Sequence, residues 1–193
     1  IICNPIYVVR FISHKEIYRS GLPFPDLLND LFYFIHRKIF VTFANMKSLC
    51  FPQYDFRFKS SENTRYIFDI IRKKFVVLQP EEWVRQHVIH YLIQDKGYPK
   101  SLINVEKTIR MHGLSKRYDL VVFSPLGHIV LLAECKAPSV PITQETFDQI
   151  ARYNMALRSS LLLLTNGKEM YCCEMDFEKE KYTFLDQVPD FSR

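Results

Sequence analysis

The alternation of apolar and polar positions predicts two neighbouring strands in the middle of the chain. Residues 119–123 and 129–135 are rich in β-branched and large apolar side chains, and turn-forming residues lie between them at 124–127. We expect an antiparallel hairpin with a four-residue loop. Its register would set these residues opposite one another: Phe123 and Val130, Val121 and Leu132, and Asp119 and Glu134.

Three charged residues are out of place in this hairpin. Asp119 and Glu134 would face each other, although directly opposed like charges destabilise a strand pair. Lys136 follows Glu134 by two residues and therefore lies on the same face. The spacing leaves two interpretations open. The acids either mark strand ends and pair with the lysine, or their oxygens hold a hard divalent cation beside it.

A helix is predicted to begin at Pro80 and to end near Asp95, because proline favours the first helical position and a Gly-Tyr-Pro segment follows. Glu81 precedes the apolar stripe and is expected to point toward the sheet, with Glu82 more to the side. Which acid faces the site stays open, since favourable interaction with the helix dipole explains both equally well. The apolar stripe consists of Val84, Val88, Tyr91 and Leu92.

A second helix is predicted over residues 143–157, with Thr143 as its N-cap. Gln149 and Tyr153 are four residues apart on one face, so they could act together. The continuous apolar run at 161–165 is typical of a buried strand. Turn residues at 166–167 and two further strands, over residues 168–174 and 182–185, follow it.

The N-terminal part of the chain divides into two regions. Residues 1–45 contain nine aromatic residues without clear periodicity, and the first methionine is Met46. We expect residues 1–45 to be a non-native or poorly ordered extension and residues 46–193 to form the folded domain. Within that domain, residues 54–58 and 75–78 favour an N-terminal β-ribbon around a polar loop. The basic Arg72-Lys-Lys74 run favours a solvated turn, with contact to DNA as the alternative.

Composition narrows the class of protein. A chain of 193 residues with 48% hydrophobic and 24% charged residues can bury a core, and its net charge of +5 permits contact with a polyanion without establishing it. Five cysteines without zinc-ligand spacing indicate reduced thiols and a cytoplasmic location. The sequence contains no run of about 18 apolar residues, so no membrane span is predicted. The sequence also lacks the phosphate-binding loop of an ATP site.

The order helix, three strands, helix and strand, with Asp119 on the second strand and Glu134-x-Lys136 on the third, resembles the PD-(D/E)xK nuclease core. The match is closer to the N-terminal nuclease region of type I restriction enzyme R subunits and to small stand-alone bacterial proteins that share it. It spans about residues 50–190. The segments that carry it are Pro80-Glu-Glu-Trp-Val-Arg-Gln86, Arg117-Tyr-Asp-Leu-Val-Val122, Ala133-Glu-Cys-Lys-Ala-Pro138, Gln149-Ile-Ala-Arg-Tyr153 and Leu164-Thr-Asn-Gly167.

This resemblance implies an α/β (α+β) restriction-endonuclease-like fold, in which helices flank a central mixed sheet in the order αβββαβ after an N-terminal β-ribbon. It implies a Mg²⁺ or Mn²⁺ site. The implied ligands are Glu81, Asp119, Glu134 and the carbonyl oxygen of Cys135.

The remaining site residues are also expected from the resemblance. Lys136 would position or activate the attacking water, and Gln149 and Tyr153 would help to order the site. Tyr118 stands where the family has proline, a position that supplies no ligand. The residues expected to contact nucleic acid are Arg85, Lys116 and Arg117.

The expected activity is metal-dependent hydrolysis of DNA phosphodiester bonds. The alternative is a binding or regulatory module that keeps the fold and holds nucleic acid without turnover. A third reading keeps the nuclease site and changes the substrate to RNA or a repair intermediate. DNA is the expected partner, together with a second copy of the chain or separately encoded subunits.

Overall fold

The structure is a computed structural model that describes residues 49–111 and 114–192, so the expectations for residues 1–45 and for a boundary at Met46 lie outside the described part of the chain. The described residues form two sheets and two α-helices. In chain order these elements are β1 (Phe58–Ser61), β2 (Thr64–Asp69), β3 (Lys74–Val77), α1 (Pro80–His90), β4 (Ile103–Met111), β5 (Leu114–Phe123), β6 (Ile129–Cys135), α2 (Gln144–Leu157), β7 (Leu161–Thr165), β8 (Met170–Asp176) and β9 (Lys181–Leu185).

The N-terminal sheet has three antiparallel strands in the order β1-β2-β3. An N-terminal antiparallel ribbon is therefore present, as predicted, but its strands differ from the predicted segments 54–58 and 75–78 and its polar loop is shorter. Residues 59–61 lie in β1, and the loop shrinks to Glu62 and Asn63, whose φ angles of 48° and 62° suit a two-residue hairpin turn. Strand β2 was not predicted. The side chains of Ile67 and Asp69 are buried, and those of Tyr66 and Phe68 point outward. Because a charged residue is buried and two aromatic residues point outward, the pattern of hydropathy did not reveal this strand.

Helix α1 begins at Pro80, as predicted, and continues through a π-helical turn at Tyr91–Asp95. Gly97, with a φ of 70°, follows this turn, which confirms the predicted end. The apolar stripe is buried, with Val84 and Val88 fully inaccessible. Polar residues on other faces of α1 are buried as well, so the helix is enclosed around most of its circumference. They are Glu82, Arg85, Gln86, His87 and His90.

The larger sheet has the strand order β4-β5-β6-β7-β8-β9, in which β6 and β7 are parallel and all other neighbours are antiparallel. Thr143 caps α2 by accepting a hydrogen bond from the backbone N–H of Thr146, as predicted. From Pro80 onward the elements follow one another as helix, three strands, helix and strand. The mixed α+β class expected from the sequence is confirmed.

The two helices pack on opposite faces of this sheet. Val84 and Val88 of α1 join one apolar cluster with Leu120 of β5, whereas Phe147 of α2 joins another with Val121 of β5. Alternation along the strands produces this division, since successive side chains point to opposite faces. Burying each such side chain stabilises the fold by about 1.5–3 kcal/mol.

The register of the β5–β6 hairpin agrees with the prediction over most of its length. Val121 faces Leu132, as expected, but a shift after Val122 sets Phe123 against Ile129 rather than Val130. The loop explains this correction: the N–H of Ser124 donates to the carbonyl oxygen of His128 (2.7 Å), so the loop closes one residue earlier than predicted. The paired residues end at Leu120 and Ala133, one position before Asp119 and Glu134.

Two sequence expectations concern the environment of the chain. The four cysteines among the described residues, Cys50, Cys135, Cys172 and Cys173, carry free thiols. In the part of the chain that the structure describes, no helix combines the length and apolar character needed to cross a lipid bilayer.

Candidate active site

Asp119 joins three elements at one point. Its Oδ2 accepts a hydrogen bond from the backbone N–H of Cys135 on β6 (2.7 Å), and its Oδ1 accepts one from Nη2 of Arg85 on α1 (2.9 Å). The carboxylate of β5 is thereby held against the neighbouring strand and the helix. Burial, followed by the charge of Asp119, raises the pKa of the Cys135 thiol well above its usual value. Cys135 therefore presents its backbone, and not a thiolate, to this site.

Glu134 and Lys136 lie together at the end of β6. Lys136 Nζ is 3.5 Å from Glu134 Oε1, and the two side chains are 31% and 15% exposed. The backbone N–H of Lys136 donates to the carbonyl oxygen of Thr165 (2.8 Å), which ties this strand end to β7. The expected same-face placement of the acid and the lysine is therefore observed, and solvent can reach the ammonium group.

The two α2 residues expected at the site, Gln149 and Tyr153, differ in their surroundings, and their roles stay predictions. Burial raises the pKa of Tyr118 to about 12, with further contributions from Glu134 and Tyr153. Glu134 and Tyr153 therefore both lie within electrostatic range of Tyr118. Gln149 is exposed on α2, and no hydrogen bond among the described residues joins it to the site.

Arg85 is surrounded by acids. It is 5% exposed, and its guanidinium donates to Glu81 Oε1 (2.9 Å), to Glu82 Oε2 and to Asp119 Oδ1 (2.9 Å). Burial lowers the pKa of Arg85, but the charges of Asp119 and Glu82 outweigh it and raise this pKa above its usual value. Because the side chain is enclosed and its charge is already paired, the expected contact between Arg85 and nucleic acid would require these ion pairs to open, and it stays a prediction.

The two acids at the head of α1 have different surroundings. Glu82 is the more buried, its side chain being 9% exposed against 46% for Glu81, so the expectation that Glu82 lies to the side is wrong. Glu82 binds Arg72, Arg85 and Gln86. Glu81, however, shares Nη2 of Arg85 with Asp119. The Glu81 carboxylate therefore lies near Asp119, because both accept a hydrogen bond from the same nitrogen of Arg85.

Sequence reasoning missed a second arginine in this cluster. Arg72 donates to Asp69 Oδ2 (2.6 Å), Glu82 Oε1 (2.7 Å) and Glu106 Oε2 (2.5 Å), so its side chain is paired and not solvated, although it lies in a turn as predicted. Asp69 is fully buried, and its Oδ1 accepts from the backbone N–H groups of Ile71 and Arg72 (both 2.7 Å). The sequence signal that could have indicated this pairing was an aspartate at the end of a strand, directly before a basic run.

Glu106 is the other residue that was missed. It lies on β4 opposite Asp119, where the β4–β5 pairing is interrupted between Val105 and Lys107, and its φ is 51°. Its carboxylate also binds Arg117, whose side chain is 63% exposed. Arg117 is therefore at the rim of the cluster, where nucleic acid could reach it. The side chain of Lys116 lies outside the described part of the structure.

The expected ligands fit a hard divalent cation in type, because Glu81, Asp119, Glu134 and the Cys135 carbonyl group all offer oxygen atoms. Acids also outnumber arginines in the cluster: Asp69, Glu81, Glu82, Glu106 and Asp119 face Arg72, Arg85 and Arg117. Among the described residues, however, no three acidic, histidine or cysteine side chains are arranged to hold an ion. Arg85 Nη2 binds Asp119 Oδ1, one of the two oxygens of that carboxylate. The expected Mg²⁺ or Mn²⁺ stays a prediction.

Comparison with known proteins identifies the family. A model of the type I restriction enzyme R protein N terminus (HSDR_N) matches residues 80–189, which is more than half of the chain. The chain therefore belongs to this family, and the resemblance to R subunits inferred from the sequence is confirmed. The matched region contains both helices and all three residues of the hairpin site, Asp119, Glu134 and Lys136.

Other comparisons add little. No curated protein matches the chain. One solved structure is the fragment structure of a protein assigned as an HsdR subunit of a type I restriction enzyme from Vibrio vulnificus YJ016, with 19% sequence identity and a TM-score of 0.39. The match covers 53% of this chain and 22% of that chain, so the present chain spans about a fifth of the length of its relative. No conclusion about fold or function is drawn from a likeness at this level.

Proposed function

We propose that the described residues form a restriction-endonuclease-like domain that hydrolyses DNA phosphodiester bonds with the help of a divalent cation. The observation that carries this proposal is the hydrogen bond from the backbone N–H of Cys135, which lies between Glu134 and Lys136, to Asp119 Oδ2, next to Arg85 of α1. Membership of the type I R protein N-terminal family supports it. The order helix, three strands, helix and strand is the one expected for such a nuclease core.

The cation would be Mg²⁺ or Mn²⁺. Asp119, Glu134, the Cys135 carbonyl oxygen and Glu81 are the residues that would hold it, and Asp119 Oδ1 would then have to exchange its bond with Arg85. When bound, such an ion supplies positive charge for the phosphate and for an activated water. The side chains of this chain supply the rest of the chemistry.

Lys136 is placed to act on the attacking water and on the phosphate. Its ammonium group is partly exposed and held near Glu134, so it can donate hydrogen bonds to a water and to a phosphate oxygen that gains negative charge. Tyr118 is a neutral phenol at neutral pH, and the rise of its pKa to about 12 keeps it neutral in more alkaline solution as well. Tyr118 therefore adds no negative charge beside Glu134. Arg117, exposed at the rim, would contact a neighbouring phosphate.

The wider role follows from the family. A domain like the N terminus of a restriction enzyme R protein would act in restriction and modification of DNA in the cytoplasm, with separately encoded partner subunits. Because the chain contains no phosphate-binding loop for ATP, any ATP-driven step would belong to another part of such an assembly. A homodimer is the alternative to partner subunits, and each copy of the chain would then contribute one cleavage site.

The decisive experiment is incubation of plasmid and linear DNA with Mg²⁺, Mn²⁺ or EDTA. We expect cleavage with either metal ion and none with EDTA. Lys136→Ala should slow cleavage by about 10²–10³-fold, because it removes charge stabilisation at the phosphate. Lys168→Ala is the matched control, since Lys168 is exposed after β7 and should leave the rate unchanged. Thermal unfolding of both variants establishes that they are folded.

Two results would contradict the proposal. Cleavage at the same rate in a folded Lys136→Ala variant would assign the activity to a contaminant. Absence of cleavage on every DNA and RNA tested would favour the second candidate function, a nucleic-acid-binding module without turnover. The observation that favours this second function is the pairing of Asp119 with Arg85, which neutralises the acid without a metal ion.

A further inference from the structure

The sheet β1–β3 presents an exposed face that has no part in the candidate active site. Alternation along β2 points Ile67 and Asp69 inward, where both are buried, and Tyr66 and Phe68 outward. Phe75 of β3 is paired with Phe68 and lies on the same outer side. Two cations of the first strand region complete this surface, here called the cationic–aromatic face: Arg57, Lys59, Tyr66, Phe68 and Phe75.

The aromatic rings hold the two cations in place. The Arg57 guanidinium lies 4.1 Å from the Phe68 ring centre and 5.8 Å from that of Phe75. Lys59 Nζ lies 5.0 Å from the Tyr66 ring centre and 4.9 Å from that of Phe75. Cation–π contacts of this kind restrict long side chains that would otherwise sample many rotamers. The positive charges are thereby oriented before any partner arrives.

These charges are not neutralised by acids. Arg57 and Lys59 are exposed, and among the described residues neither forms a salt bridge. Lys73 adds one exposed cation at the turn before β3, whereas Lys74 is paired with Asp69 and lies on the other side of the sheet. The acid of that turn, Asp69, is buried on the other side of the sheet. The surface is therefore complementary to an extended anion.

The spacing of the cations suits a phosphate backbone. Arg57 and Lys59 are two residues apart in extended chain, since the carbonyl oxygen of Arg57 accepts from the N–H of Phe68 and continues the pairing of β1 with β2. Two residues of strand span about 6.7 Å. That separation is comparable to the distance between successive phosphates along one nucleic-acid strand.

The sheet is also fixed to the candidate active site. Arg72, in the turn between β2 and β3, binds Glu82 of α1 and Glu106 of β4. The sheet therefore cannot shift against α1 and β4 without breaking these ion pairs. A nucleic acid held on the sheet would keep a defined position relative to the cluster around Asp119.

We propose that the cationic–aromatic face binds the phosphate backbone of a nucleic-acid strand. The choice of nucleic acid as the polyanion rests on the proposed function. The face adds a contact surface separate from Asp119, Glu134 and Lys136, so binding there needs neither a metal ion nor cleavage.

The test measures binding of the full chain to fluorescein-labelled oligothymidylate and to a duplex of the same length, by fluorescence anisotropy in EDTA. Arg57→Ala/Lys59→Ala should raise the Kd by about tenfold. It should also reduce the slope of log K against log salt by about 1.4–1.8, as expected for two lost phosphate contacts. The control is Lys168→Ala/Lys181→Ala, which removes two exposed charges elsewhere and should change neither quantity by as much.

A second variant examines the aromatic contribution. Phe75→Leu keeps every charge and removes the ring that contacts both Arg57 and Lys59. We expect the Kd to rise about threefold with the salt slope unchanged, because the cations remain but are less ordered. Thermal unfolding shows whether each variant is folded.

Three outcomes would overturn the proposal. The first is a Kd and a salt slope that change equally in Arg57→Ala/Lys59→Ala and in the Lys168→Ala/Lys181→Ala control. The second is binding of polyglutamate, but of neither oligonucleotide, through Arg57 and Lys59. The third is binding of anionic lipid vesicles, but of neither oligonucleotide, through Arg57 and Lys59. Binding that depends on this face in a protein that cuts no DNA would support the face and refute the nuclease, so the two failures are distinguishable.

Discussion

Arg85 determines how the acids of the candidate site coexist. The sequence predicted repulsion between Asp119 and Glu134, and the structure provides each acid with a cation. Arg85 and the Cys135 N–H bind Asp119, while Lys136 lies beside Glu134. Buried carboxylates need such partners, because an isolated charge in the interior is costly. Arg85 therefore supplies positive charge at the acids that the proposed function assigns to a divalent cation.

Replacement of Arg85 should reveal this balance. Arg85→Met leaves the carboxylates of Glu82 and Asp119 without their buried partner, so we expect the metal-free protein to lose about 3–5 kcal/mol of stability. We also expect Mg²⁺ to raise the Tm of this variant more than that of the unaltered protein, since the ion can then neutralise the acids. Thermal unfolding with Mg²⁺ and with EDTA measures both effects.

Arg152→Met is the matched control, because Arg152 is exposed on α2. Its stability and its response to Mg²⁺ should equal those of the unaltered protein. If Mg²⁺ shifts the Tm of Arg85→Met and Arg152→Met equally, Arg85 and the cation do not share a site.

At the scale of the element, β4 departs from regular strand geometry at one residue. Glu106 has a φ of 51° and interrupts the pairing with β5 opposite Asp119. A left-handed backbone costs a residue with a side chain about 1–2 kcal/mol. The conformation persists because the Glu106 carboxylate reaches Arg72 and Arg117 from this position. The irregularity in the strand and the ion pairs of the cluster therefore depend on each other.

Two substitutions separate the backbone effect from the loss of the carboxylate. Glu106→Ala and Glu106→Gly both remove the ion pairs, but only glycine adopts a positive φ without strain. Glu106→Gly should therefore be more stable than Glu106→Ala by about 1 kcal/mol in urea unfolding.

The same pair of substitutions at Thr108, an exposed residue of the same strand, provides the comparison. There the order should reverse, with glycine less stable than alanine by about 0.5–1 kcal/mol. The same order of stability at both positions would mean that the backbone at Glu106 is not strained.

At the scale of the whole molecule, aromatic rings attach the segment before β1 to α1. His87 lies among them, with its ring centre 4.1 Å from that of Trp83 and 4.7 Å from that of Phe56. Its Nδ1–H donates to the carbonyl oxygen of Trp83 (2.8 Å), with the proton assigned on the basis of this contact. Burial lowers the pKa of His87 from 6.5 to about 4 and lowers that of His90 as well. The packing therefore requires neutral imidazoles.

Stability should consequently fall in mild acid. Between pH 6.5 and pH 4 the unfolded chain binds a proton at His87 that the native state does not, so stability rises with pH in this window and is lost as the pH falls through it. We expect His87 to account for a loss of about 2 kcal/mol by pH 5. Urea unfolding at pH 7.5 and at pH 5 measures this loss.

The variant for this test is His87→Phe, which keeps the ring and removes the titrating group. Between pH 7.5 and pH 5, the stability of this variant should fall by about 2 kcal/mol less than that of the unaltered protein. His128→Asn changes an exposed histidine and should keep the full pH dependence. Equal pH dependence in the two variants would exclude His87 as the cause.

The sequence by itself determined the elements that local patterns encode. Proline at the start of α1, the Thr143 cap of α2 and the apolar run of β7 were all recognisable because they depend on neighbouring residues. The register between Val121 and Leu132 was predictable for a similar reason, since a hairpin pairs residues close in sequence. Asp119, Glu134 and Lys136 followed from that register and from resemblance to a family.

Only the tertiary structure decided which charges meet. Arg85 binds Asp119, and Arg72 binds Glu106, each across 34 positions of the chain, and no spacing rule connects residues that far apart. Their partners depend on how α1 packs against the sheet and on the left-handed backbone of Glu106. Local periodicity specifies which face of an element is buried. The side chains that the neighbouring elements then bring to that face determine the electrostatics of the site.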